Sequence, residues 1–134
     1  MASIDEAAQI AADLPGVTTG TSYGNPAWFV DKKAFAWLRP FSKADLRRYG
    51  DAPVPTGPIF AVRVGGLPEK DAVLAKRSRG VFTIPHLDGY AAVLLQLDVV
   101  ATSVLRRLIK DAWLACAGPA TVAGYGVRRA KPRR

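Results

Sequence analysis

The apolar residues of this chain change their period along its length, and the changes mark out its elements. Ile4, Ala7, Ala8, Ala11 and Leu14 recur at helical spacing. Ser3-Ile-Asp-Glu6 ahead of them has the form of a capping box: Ser3 accepts from the backbone N–H near Glu6, and Glu6 reaches back. Pro15-Gly16 stops the run, so a helix is expected at about 4–13. From Val17 the pattern favours extended chain, and Ser22-Tyr-Gly-Asn-Pro26 is turn chemistry, with Gly24 and Asn25 tolerating positive φ and Pro26 restricting Asn25 to extended geometry. Residues 27–30 and 34–38 read as two strands around an Asp31-Lys32-Lys33 turn. A two-residue loop groups Trp28, Phe35 and Trp37 on one face. A three-residue loop groups Ala27, Phe29, Phe35 and Trp37 instead. Both faces are apolar in either register, whereas a hairpin with one solvated face alternates with polar residues. The second face is therefore expected to be covered by chain, by a partner subunit or by a ligand.

Residues 39–58 form a long connection with four prolines, Pro40, Pro53, Pro55 and Pro58. A connection of that length is often mobile or functional. Within it, 42–49 reads as a short helix with Ser42 as N-cap and Asp45 three residues on. Residues 59–64 read as a strand with Phe60, Val62 and Val64 on one face and Arg63 on the other. Pro68 fits the first turn of a helix to about residue 78 that presents Val73, Leu74 and the stem of Arg77, and Gly80 ends it. Strands follow at 81–84 and 90–97, separated by the turn Pro85-His-Leu-Asp-Gly89. Thr102 then caps a helix to about Cys116, whose Leu105, Leu108, Ile109, Ala112, Trp113 and Cys116 form a stripe opposite Arg106, Arg107 and Lys110. This order predicts an α+β fold: a two-layer sandwich, one antiparallel sheet of about five strands with helices packed on it. Residues 1–118 make the domain, and residues 119–134 read as an irregular basic tail.

Composition adds a bias toward anionic partners. The net charge is +8, and Arg128, Arg129, Lys131, Arg133 and Arg134 supply +5 of it in the last seven residues. Lys32 and Lys33 stand at a hairpin turn, and Arg39, Lys43, Arg47 and Arg48 stand in the long connection. Protruding cations of this kind reach phosphate without reading sequence; the bland alternative is a solvated surface. A single cysteine, an acidic N-terminus and no apolar run near the ~20 residues of a membrane span make the cytoplasm the expected compartment.

The chemistry of catalysis is sparse. His86 is the only histidine; a triad would need it beside a nucleophile, with Asp88 as the nearby carboxylate. Its surroundings are ordinary turn composition, where Asp bonds its own backbone. One His and one Cys are too few ligands for zinc, and Cys116 lies on an apolar stripe as a small hydrophobe. Gly65-Gly66 has no phosphate-loop pattern around it. No cofactor, metal or catalytic residue is expected, and the chain does not read as an enzyme.

Several segments in order resemble the MmcQ/YjbR-like family: Leu14-Pro-Gly-Val17, Ser22-Tyr-Gly-Asn-Pro-Ala-Trp28, Lys33-Ala-Phe-Ala36, and Pro85-His-Leu-Asp-Gly-Tyr90 followed by Ala92-Val-Leu-Leu95. Ile109-Lys-Asp-Ala-Trp113 matches the family's closing helix, so the resemblance spans roughly residues 4–116. It implies a CyaY-like fold, a double-wing DNA-binding arrangement and a small bacterial protein. The long 39–58 connection and the arginine-rich tail depart from the family pattern. DNA held mainly by non-specific phosphate contact is thus the expected partner, through the eleven basic residues of turn, connection and tail. Two alternatives stay open. One is a protein-interaction module or homodimer built on the 27–38 hairpin face. The other is a small-ligand pocket near Tyr23, Asn25, Trp28, His86 and Tyr90.

Overall fold

Residues 2–130 are described by a computed structural model, with side chains described through Tyr125. The element order is α1 (Ile4–Ala12), β1 (Thr18–Ser22), β2 (Asn25–Val30), β3 (Lys33–Leu38), α2 (Lys43–Tyr49), β4 (Ile59–Arg63), α3 (Leu67–Ala75), β5 (Val81–Phe82), β6 (Ala92–Gln96), α4 (Thr102–Cys116) and α5 (Pro119–Ala130). The strands form one antiparallel sheet of six, in the order β1-β2-β3-β4-β6-β5. This is the expected α+β class; β1 makes the sheet slightly larger than foreseen. No helix among the described residues is long and apolar enough to cross a membrane.

Local rules explain both early helices. The Ser3 hydroxyl accepts from the Glu6 N–H at 3.1 Å. Ser42 and Asp45 form a complete capping box at the start of α2. α4 starts differently from expectation: Ala101 is its N-cap, and Thr102 is already helical. α3 ends at Ala75 because Arg77 turns to φ 51°, a left-handed conformation no helix contains.

The β2–β3 loop has two residues, Asp31 and Lys32, both at positive φ (48° and 68°), the signature of a type I′ turn. Neither expected aromatic grouping results. Trp28 opposes Ala36 while Phe29 opposes Ala34, so Phe35 is an extra residue in β3. A bulge of this kind resets the side-chain alternation. Phe35 and Ala36 both enter the main core beside Trp28, and Trp37 goes to the opposite face.

The main core lies between the sheet and α1 with α4. Leu105, Ile109, Ala112 and Trp113 pack into one cluster with Phe35, Phe60, Val62, Val93 and Leu95, all fully buried. On the other face Ile59, Ala61, Ile84, Leu87 and Leu94 are capped by Phe41 and Tyr49 of the 39–58 segment and by Trp37 and Phe82. The long connection therefore works as a lid over the part of that face that Phe41 and Tyr49 cover. Phe29 is covered by its own hairpin: it lies over Gly20, where a Cβ would come within 3.0 Å of the ring.

Residues 119–130 are helical, where an irregular tail was expected. The Asp31 carboxylate supplies the reason. It accepts from the Gly118 N–H and, at 2.9 Å, from the Thr121 hydroxyl, so it caps α5 from a distant turn. The Gly118 N–H, then the Thr121 hydroxyl, with Lys33 adding to them, hold the Asp31 carboxyl below its usual range against the opposing effect of burial. A depressed pKa contributes above the unfolded value of 3.8 and is lost as pH falls through the lower folded value. Asp31→Ala is expected to speed amide hydrogen exchange at residues 118–122 at neutral pH. Unchanged exchange there would dismiss the cap.

Candidate functional site

Where the 39–58 lid stops, the second face of the sheet stays open as a groove of about 690 Å³. One wall is the β1–β2 turn. Tyr23 and Gly24 occupy its two central positions at φ 49° and 79°, another type I′ geometry. The positive φ falls on Gly24, as its composition allows, and on Tyr23, while Asn25 ahead of Pro26 is in the β2 strand as expected. Tyr23 is 100% exposed, and the Asn25 amide donates to the Tyr23 carbonyl at 3.3 Å. The facing wall is the one-turn 3₁₀ helix Pro85–Leu87 and the chain to Tyr90. The floor is Ala34, Trp37 and Arg63, with Arg39, Pro40 and Ser42 at one end.

Arg63 is the central group. Its Nε donates to the Ala34 carbonyl at 2.7 Å, which fixes the plane of the guanidinium. The guanidinium carbon lies 5.7 Å from the Trp37 ring centre and 5.2 Å from the Tyr90 ring centre, within cation–π range of both. No carboxylate pairs with it among the described residues; both ion pairs found there are on Asp45. Arg39 is held at the rim by donating to Asp45 at 2.9 Å and to the Pro40 carbonyl at 2.7 Å.

The His86 wall is braced from behind. The Lys70 side chain of α3 is buried, and its ammonium donates to the Leu87 and Tyr90 carbonyls at 2.6 and 2.8 Å. Those two charge-assisted bonds add to the backbone donors the carbonyls already have, the Tyr90 N–H on Leu87 and the Ala92 N–H on Tyr90, and tie α3 to the segment that carries His86 and Tyr90. No carboxylate lines the groove, and two arginines and a histidine do. The arrangement offers planar hydrogen-bond donors for an anion and aromatic surface beside them.

Three curated bacterial proteins match the chain, among them uncharacterised proteins of Mycobacterium bovis and of Mycobacterium tuberculosis. Each is 39% identical over 117 residues, covering 85% of this chain and 88% of the relative. The chain belongs to this mycobacterial protein family. No family model matches it, and no solved structure does.

In this member of the mycobacterial family, the residues expected to act together are partly separated. Tyr23, Asn25, His86 and Tyr90 line the groove as foreseen for a pocket. Trp28 does not: it is 5% exposed on the opposite face, its ring 5.5 Å from that of Phe60. Among the described residues the expected phosphate contacts do not converge on one place either. Lys32 and Lys33 stand at one end of β3 and Arg39 at the other, a strand of six residues or roughly 20 Å apart. Arg39 and Arg48 are both engaged by Asp45, while Lys43 and Arg47 are exposed on α2. Arg128 and Arg129 fall in α5 beyond the described side chains, and Lys131, Arg133 and Arg134 lie outside the described residues. Trp37, Arg63 and Lys70 were not foreseen as site residues. Arg63 carried a signal all the same, as the one charge inside the apolar run Ile59-Phe-Ala-Val-Arg-Val64. Cys116 is buried, and burial pushes its thiol up, against the pull of Arg63 and Lys33, as suits an inert core residue.

Proposed function

We propose that this protein binds DNA, in the manner ascribed to the MmcQ/YjbR-like family it resembles, and that the groove face is its contact surface. We read the mycobacterial relatives as a branch of that family, cytoplasmic and non-enzymatic. The observation that carries the proposal is the groove itself: Arg39, Arg63 and His86 line it, and no carboxylate does. The net charge of +8 supports the same partner, since the basic groups outnumber the carboxylates and only Asp45 forms ion pairs among the described residues. Compared with contact through loops and tail, this reading moves specificity of position to the fold and leaves the 128–134 segment as an electrostatic supplement.

Fluorescence anisotropy of labelled oligonucleotides across salt tests it. With about three phosphates contacted by the folded part, log K should fall with log salt at a slope of about −2.7 once residues 128–134 are removed, and more steeply for the full chain. Removing residues 128–134 should flatten the slope without abolishing binding. Absence of any binding at low salt by the full chain would overturn the proposal.

A further inference from the structure

The groove holds one residue whose conformation the fold does not explain. Tyr23 sits at the first central position of a type I′ turn, where Asn, Asp or Gly is the relaxed choice. A bulky L residue at φ 49° is strained. Burial does not compensate, because the side chain is wholly exposed. Strain at an exposed aromatic that lines a cationic groove points to use of the ring outside the chain. Across the groove, Tyr90 and Trp37 each hold one side against Arg63, and that guanidinium keeps its two terminal nitrogens free of carboxylate.

We infer that the groove takes an unpaired nucleotide of single-stranded DNA, with Tyr23 stacking on the base and Arg63 gripping the adjacent phosphate. This deepens the DNA-binding reading and rests on it. The volume of about 690 Å³ falls in the range of sites that enclose a small organic group. A base turned out of a flexible single strand fits such a space and offers a π face whatever its identity. A duplex keeps its bases stacked inside and presents only phosphates to the rim, so it makes no use of Tyr23. The planar fork of arginine, held in plane by the Ala34 carbonyl, matches two phosphate oxygens.

Tryptophan fluorescence reads the event directly. Trp28 and Trp113 are buried at 5% and 0% exposure, and Trp37 alone of the three tryptophans lines the groove. A ten-residue oligo-thymidylate, a duplex of equal length, thymidine monophosphate and inorganic phosphate are titrated into the full chain, and into Tyr23→Gly and Arg63→Gln. The single strand should bind at least about tenfold more tightly than the duplex and quench Trp37. Tyr23→Gly should weaken the single strand about tenfold, the lower end of one lost stack, and weaken the duplex far less. Its melting temperature should not fall, because glycine accepts the turn's φ, so a folding defect cannot mimic the result. Arg63→Gln should weaken both the strand and the mononucleotide. Quenching by the mononucleotide at higher concentration supports nucleotide recognition and identifies a free nucleotide as a second source of the same chemistry. Undiminished single-strand binding by Tyr23→Gly overturns the inference. So does inorganic phosphate competing as well as the mononucleotide, since the base would then contribute nothing. In both cases duplex binding with a steep salt slope leaves the DNA reading standing. Failure of every oligonucleotide at low salt removes both.

Discussion

Trp113→Ala should lower stability by about 3–5 kcal/mol, the usual cost of emptying a large aromatic site in a core. Trp113 is fully buried near the C-terminal end of the α4 stripe, and its ring centre lies 5.2 Å from that of Tyr125. The indole N–H also donates to the Pro15 carbonyl at 2.9 Å, which ties α4 to the end of α1. Three contacts are lost together: the α4 packing, the support of α5 through Tyr125, and the partner of a backbone carbonyl. Total stabilities of domains run from about 5 to 15 kcal/mol, so the variant should melt at least roughly 10 °C lower and populate the unfolded chain measurably. Trp113→Phe separates the terms. It keeps most of the ring but leaves the Pro15 carbonyl without its donor, and should cost nearer 1–3 kcal/mol. Denaturant midpoints for both variants check the ordering. Equal losses would mean that the hydrogen bond, and not the packing, dominates.

Asp45→Ala should cost about 2–4 kcal/mol, because a buried carboxylate accepts two hydrogen bonds on one oxygen and faces a second arginine with the other. Its Oδ2 accepts from the Ser42 N–H and from Arg39, each at 2.9 Å, and Oδ1 lies 3.5 Å from Arg48. Arg39 retains 18% exposure, which keeps the figure below that for a fully dry pair. Burial alone would raise the Asp45 pKa. The Ser42 N–H and Arg39 outweigh it and hold the carboxyl below its ordinary 3.8. A group with a depressed folded pKa stabilises above its unfolded value, and its contribution disappears as pH falls through the folded one. The gap in melting temperature between parent and variant should therefore be constant above pH 5 and close below pH 4. A gap that persists undiminished at pH 2.5 would rule out the charge as its source. The same variant releases Arg39 from the groove rim, so DNA affinity should fall as well, and Asp45→Asn should restore part of the stability and little of the affinity.

The split between readable and unreadable features follows sequence distance. The helix starts at Ser3 and Ser42 were legible because a cap spans four residues, although the full capping box forms at Ser42 and Asp45 while Glu6 makes no return bond to Ser3, and the same local logic gave the amphipathic stripe of α4. Strand positions followed from alternation and turn residues. The groove was half legible: Tyr23, Asn25, His86 and Tyr90 come from turn segments whose composition stood out. Arg63 was visible as a misfit charge in an apolar strand, yet nothing local said that Trp37 and Tyr90 would flank it. Lys70 gave no sign at all, since its partners, the Leu87 and Tyr90 carbonyls, lie 17 and 20 residues away.

By itself the sequence determined the α+β class and the main helices, because each depends on neighbours within about a turn or a strand. Tertiary structure alone decided three things. The extra residue Phe35 shifted the alternation of β3, so that Phe35 and Ala36 face the core beside Trp28 and Trp37 faces the groove, and that register is set by pairing with strands on both sides. The run from Pro119, which has glycines at 124 and 126, became a helix because Asp31 caps it and Tyr125 finds Trp113. The basic residues were dispersed by folding: β3 holds Lys33 and Arg39 a strand length apart, and the unpaired charge that remains central is Arg63, placed by a sheet register that no stretch of neighbouring residues encodes.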